Sequence, residues 1–130
     1  LVVITGGEPT IHENLNDFIA YLQDNDVCTH TVHVETNGYA LERASKADYV
    51  VCSPKDFKQE FDDQYVDEFK LLVNEHDKKI EEKIERFMPK TSLQPLYNYN
   101  KKNNIATTLE LCMKYDVQMS FRIHEYLGVE

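Results

Sequence analysis

The chain has 130 residues, 42% of them hydrophobic, and sets 14 Lys and Arg against 23 Asp and Glu for a formal net charge of −9. That length suits one compact domain, residues 1–130, with a core of its own. The acidity, without a Lys/Arg patch, argues against nucleic acid as a partner. No apolar run nears the roughly 18 residues of a membrane span and no secretory leader is present, so a cytoplasmic protein is expected. Cys28, Cys52 and Cys112 are too far apart for a close-set thiolate site and read as reduced core residues.

In chain order, Leu1 to Thr5 is an apolar run ending in Gly6-Gly7, the pattern of a strand buried on both faces. A chain that opens inside such a strand is expected to have lost residues upstream. Asn14 to Asp24 puts Leu15, Phe18, Ile19 and Leu22 on one helical face. Thr31 to Glu35 is β-branched and alternating, hence a strand, and Asp48 to Ser53 is a third, closed by Pro54. Asp56 to Glu68 has no clean period and reads as an irregular connection, followed by a fourth strand from Phe69 to Val73. Asp77 to Phe87 is a solvated helix with Ile80, Ile84 and Phe87 inward. Ser92 to Pro95 is a short fifth strand, Ile105 to Tyr115 a helix packing through Ile105, Leu109 and Cys112, and Val117 to Tyr126 a final extended segment. Strands and helices alternate without a hairpin signal, so the fold class is α/β with a mostly parallel sheet, open or barrel-like.

In such sheets ligands sit beyond the carboxyl ends of the strands. The residues there are Thr5-Gly6-Gly7-Glu8-Pro9-Thr10, Glu35-Thr36-Asn37-Gly38, Ser53-Pro54-Lys55 and Leu93-Gln94-Pro95. Each alone is also what a plain turn contains; their alignment on one rim is what points to a site. The two glycines let a ligand approach bare backbone, and Glu8 offers a carboxylate suited to an ammonium group. A Walker-type loop is excluded, because no Gly-Lys-Ser/Thr follows and an acid stands where phosphate would be repelled. His12, His30, His33 and His76 lack metal-ligand spacing and read as surface or packing residues.

Ile4-Thr5-Gly6-Gly7-Glu8-Pro9 resembles the glycine-glycine-glutamate-proline motif of radical S-adenosylmethionine enzymes. The three later rim motifs, in the right order, and the tail Ser120-Phe121-Arg122-Ile123-His124-Glu125-Tyr126-Leu127 narrow the resemblance to the 7-carboxy-7-deazaguanine synthase family, over residues 1 to 130. The resemblance implies a partial, modified radical-SAM (β/α) barrel. It implies cofactor contacts by Gly6, Gly7, Glu8, Asn37, Ser53, Lys55 and Gln94. It implies that Thr5, Gly7, Glu35, His124 and the terminal Glu130 hold a carboxylated tetrahydropterin, with Glu35 and His124 the catalytic candidates. In that family a four-iron, four-sulfur cluster reduces S-adenosylmethionine to a 5′-deoxyadenosyl radical, and the pterin ring then contracts with loss of ammonia, on the way to queuosine. Mg2+, an electron donor such as flavodoxin and a homodimer are further family traits.

Two departures stand out. The family's three close-set cluster cysteines, and the threonine that ligates magnesium beside the third, have no counterpart in residues 1 to 130. In the tail, Arg122-Ile123 stands where the family often has Gln-Thr; an arginine there could still hold a carboxylate bidentately. The expectation is a chain that cannot turn over unaided. Two other readings compete: another radical S-adenosylmethionine enzyme, such as a glycyl-radical activase, and a non-catalytic ligand-binding domain.

Overall fold

The computed structural model describes residues 1–24 and 29–122. Six strands, β1 (Val2–Ile4), β2 (Val32–Thr36), β3 (Tyr49–Cys52), β4 (Glu68–Val73), β5 (Thr91–Pro95) and β6 (Gln118–Met119), lie side by side in chain order. Neighbours run parallel at β1–β2, β2–β3, β3–β4 and β5–β6, and β1 and β6 end the order, so among the described residues the sheet is not closed into a barrel. Three α-helices, α1 (Leu15–Gln23), α2 (Ile80–Phe87) and α3 (Lys101–Tyr115), and three single 3₁₀ turns fill the connections. Two compact units, Leu1–Phe69 and Lys70–Glu130, share strand β4. No described helix is long and apolar enough to cross a membrane.

The first unit takes its core from alternation. Along β2, Val32, Val34 and Thr36 are buried while His33 and Glu35 are only half so, as a period of two requires. Leu15 and Ile19 of α1 pack on it, with Val50, Val51 and Cys52 of β3 beyond. Register is set by two aspartates, each just before a strand. Asp48 Oδ2 accepts from Val32 N at 2.7 Å, and Asp67 Oδ2 accepts from Val50 N at 2.7 Å. Each aspartate also donates its own amide back to the same residue's carbonyl, Asp48 to Val32 and Asp67 to Val50. These pairs hold the entry of one strand to the entry of the next, which leaves the exits aligned on the opposite rim.

Several expectations change here. Strand β1 is not buried on both faces: Leu1 is 75% and Val3 48% exposed, because β2 is its one strand neighbour among the described residues and no described element covers Val3. Phe18, expected on the buried face of α1, is 52% exposed. The stretch from Asp56 to Glu68 is irregular as read, apart from one 3₁₀ turn at Asp63–Tyr65.

In the second unit, α2 buries Ile80, Ile84 and Phe87, the face its periodicity announced. Helix α3 departs from expectation: it begins at Lys101, and it buries Asn104, Thr108, Leu111 and Cys112 while Leu109 lies 52% exposed. The physical reason is Asn104. Its amide donates to Leu96 O at 2.7 Å and accepts from Glu75 N at 2.9 Å, satisfying two backbone groups that helix packing would otherwise strand. A polar anchor thus outweighs the apolar stripe. Asn104→Ala is expected to cost about 2–3 kcal/mol, since it leaves a part-buried donor and a part-buried acceptor unpaired; a urea titration followed by circular dichroism measures it. Of the final extended segment, residues 118–119 form β6, and residues 123–126 lie outside the described residues.

Candidate functional site

The rim of the first unit is built around one carboxylate. Pro9 opens a 3₁₀ turn, Pro9–Ile11, and Glu8 is its N-cap. Glu8 Oε1 accepts from Thr10 N at 3.0 Å, from Thr10 Oγ1 at 2.7 Å and from Thr36 Oγ1 at 2.5 Å. Glu8 Oε2 accepts from Asn37 N at 2.5 Å. Burial of Glu8 pushes its carboxyl upward, but the hydrogen bonds from Thr36, Asn37 and Thr10 outweigh it and leave the group below the ordinary glutamate value. The side chain expected to meet a ligand's ammonium is first a strut between the ends of β1 and β2.

The same threonines shape the loop after β2. Gly38 N donates to Thr36 Oγ1 at 3.0 Å, Tyr39 N to Asn37 Oδ1 at 3.0 Å and Ala40 N to Thr10 Oγ1 at 3.3 Å. With Asn37 N on Glu8, four successive amides are held by side chains. Arg43, on the 3₁₀ turn Leu41–Ala44, donates to the carbonyls of Thr10 and Ile11 at 3.1 and 3.0 Å, tying the two turns together. Thr10 and Thr36 are 0% and 5% exposed. Both stand inside the motifs quoted above, but outside the residues expected to contact a ligand. The signal available was Glu8-Pro9-Thr10, an acidic cap before a proline and a hydroxyl two residues on.

Around this strut the sequence-predicted residues fall as follows. Gly6 has φ +117°, a conformation that favours glycine, and nothing lies within 4 Å of where a Cβ would stand on Gly6 or Gly7. Thr5 Oγ1 donates to Glu35 Oε2 at 3.4 Å, so two of the residues assigned to substrate do meet. Because successive residues of a strand point to opposite faces, Glu35 and Thr36 serve different sides of the sheet. Ser53 is joined through its backbone, its N donating to Thr36 O at 2.7 Å, and Lys55 is exposed. Gln94 belongs to the second unit, 5% exposed on β5. His124 and Glu130 lie outside the described residues.

A cleft of about 460 Å³ opens beside the strut, lined by Thr5, Gly7, Glu8, His12, Asn14 and Phe18 among others. Cys52, fully buried below the rim, has its thiol pushed up to about 12 by burial and by the Glu8 charge, so it is neither nucleophile nor ready metal ligand. Cys112 is also a buried free thiol, and Cys28 lies outside the described residues. His33 stacks on Tyr49 with ring centroids 5.1 Å apart, a packing role.

Two groups implied by the family resemblance can be tested on these residues. An S-adenosylmethionine methionyl end fits: bare glycine backbone faces open space, and an ionised carboxylate stands next to it. An iron–sulfur cluster or a magnesium ion does not fit, because no group of three His, Cys, Asp or Glu side chains converges among the described residues.

No protein-family model matches the sequence. The chain is similar to the 7-carboxy-7-deazaguanine synthase of Aquifex aeolicus (strain VF5), at 30% identity over 123 residues, which is 85% of this chain and 54% of that protein. Its fold is shared with the crystal structure of QueE from Escherichia coli, with a TM-score of 0.66 at 22% identity over 93% of this chain and 56% of that one. The chain therefore spans about half the length of the proteins it matches. The first likeness supports the resemblance carried by the rim motifs, and the second bears out the fold expected from it, a partial barrel of mostly parallel strands.

Proposed function

We propose that this chain is the S-adenosylmethionine-binding portion of a 7-carboxy-7-deazaguanine synthase, an enzyme converting 6-carboxytetrahydropterin to 7-carboxy-7-deazaguanine in queuosine biosynthesis. The observation that carries the reading is the bare Gly6-Gly7 backbone set against the fixed, ionised Glu8 carboxylate, in a chain similar to a protein of that name. The radical chemistry is supplied by the cofactor once it is reduced. This chain's residues bind and orient. Glu8 and the Gly6-Gly7 carbonyls receive the methionyl ammonium, Ser53, Lys55 and Asn37 serve the remaining cofactor groups, and Thr5, Gly7 and Glu35 face the pterin. The reaction is placed in the cytoplasm, with a flavodoxin-like protein as electron donor and a second copy as partner.

The test is direct. A full-length protein carrying this sequence, incubated anaerobically with S-adenosylmethionine, reductant and 6-carboxytetrahydropterin, is expected to release ammonia and the deazaguanine product. Cleavage of S-adenosylmethionine without either product would instead favour another radical enzyme. The 130 residues alone are expected not to bind a stoichiometric cluster on anaerobic reconstitution with iron and sulfide, read from the charge-transfer absorbance. One four-iron cluster per chain would overturn that prediction.

A further inference from the structure

A carboxylate oxygen offers two lone pairs, and the two oxygens of Glu8 are used unequally. Oε1 is filled by Thr10 N, Thr10 Oγ1 and Thr36 Oγ1, whereas Oε2 takes the single amide of Asn37 and keeps an acceptor direction, in a residue that lines the cleft. The hydroxyl orientations are fixed by what surrounds them. Thr36 Oγ1 accepts from Gly38 N at 3.0 Å and Thr10 Oγ1 from Ala40 N at 3.3 Å; the two hydroxyls also lie 3.4 Å apart, with either able to donate, but Glu8 Oε1 is the nearer acceptor for the proton of each, at 2.5 and 2.7 Å. The Thr36 side chain is 5% exposed and cannot itself reach a ligand.

We infer that Thr36 is a positioning residue: its hydroxyl locks Glu8 with Oε1 saturated and Oε2 as the one oxygen presented to a cationic group of the ligand. This rests on the cofactor reading above for the identity of that cation, and on geometry alone for the lock. Without the hydroxyl, Oε1 loses its shortest partner and keeps only those from Thr10, the carboxylate is held less tightly, and the Gly38 amide loses its acceptor.

The experiment compares Thr36→Val, Thr36→Ser and the unaltered chain in two measurements. Carbon-13 NMR follows the titration of the Glu8 carboxyl, and calorimetry follows binding of S-adenosylmethionine. Thr36→Val, nearly isosteric but without a hydroxyl, is expected to move the Glu8 midpoint up toward the ordinary glutamate value and to weaken binding by about tenfold, the effect of one lost hydrogen bond to a charged group. Thr36→Ser, which restores the hydroxyl, is expected to recover both. An unmoved Glu8 midpoint in Thr36→Val, or a Thr36→Ser as impaired as Thr36→Val, overturns the inference. Should Thr36→Val fail to fold, the unaltered chain still decides it: the Thr36 hydroxyl proton must exchange slowly enough to be resolved and show a cross-peak to the Glu8 side chain. If the titrations behave as expected while S-adenosylmethionine binds no variant, the lock stands and the cofactor reading falls.

Discussion

Replacing Glu8 by glutamine is expected to lower the stability of the first unit by about 2–3 kcal/mol, the range for removing a charged acceptor that serves partly buried donors. A glutamine Oε1 can keep only some of the four bonds. Its NH₂ turns a donor toward the Asn37 amide or the threonine hydroxyls, all of which are donors in this arrangement. The loss should concentrate in residues 37 to 40: the amides of Asn37, Gly38 and Ala40 are held by this carboxylate and its two threonines, and that of Tyr39 by Asn37 Oδ1. Hydrogen exchange should show those amides opening first, while the β2–β3 ladder keeps its protection. The sign of the pH dependence follows from the direction of the shift. Folding holds the Glu8 carboxyl below its ordinary value, so its contribution is complete above the ordinary carboxylate range and fades as pH falls through the lowered folded value. In Glu8→Gln that acid-side decline should flatten, measured by urea midpoints from neutral pH down to about pH 3. An unchanged acid profile would show that the carboxylate is held no more tightly folded than unfolded.

The second large effect is expected at Gly38, in contrast to Gly6. Both residues have positive φ, +92° and +117°. A Cβ on Gly38 would be driven into the ring of Phe61, with Phe61 Cδ1 at 2.8 Å and Cys52 Sγ at 3.0 Å, in a buried position. Gly38→Ala therefore combines backbone strain with overpacking, and a loss of about 3–4 kcal/mol is expected. Gly6→Ala meets no neighbour within 4 Å and should cost only the conformational part, about 1–2 kcal/mol. The order reverses for ligand. Gly6→Ala places a methyl group where the cofactor's methionyl end is proposed to approach, so its affinity for S-adenosylmethionine should fall by an order of magnitude or more at modest stability cost. Thermal melts and calorimetry on the two variants separate the effects. Equal stability losses, or intact binding by Gly6→Ala, would remove the distinction between a structural and a ligand-facing glycine.

Much of this molecule was legible in its residues. The α/β alternation, the inward face of α2, the strands β2 to β5 and the irregular stretch after Lys55 follow from periodicity and turn chemistry, because burial of one face imposes a period on the chain that forms it. The strand-end motifs were legible for the same reason: a parallel sheet gathers its carboxyl ends on one rim whatever the details. What the sequence could not supply was partnership. The apolar stripe of α3 lost to Asn104, since unsatisfied backbone at Glu75 and Leu96 is an interaction between segments about 30 and 8 residues away from it in the chain. The exposure of Val3 depended on which neighbours strand β1 has. The inward role of Glu8 was hidden too, because Thr36 and Asn37 lie 28 and 29 residues from it. Composition and spacing determined that a carboxylate would stand beside bare glycine backbone at the rim; only the tertiary structure decided that this carboxylate also ties the ends of β1 and β2 together, through Thr10, Thr36 and Asn37.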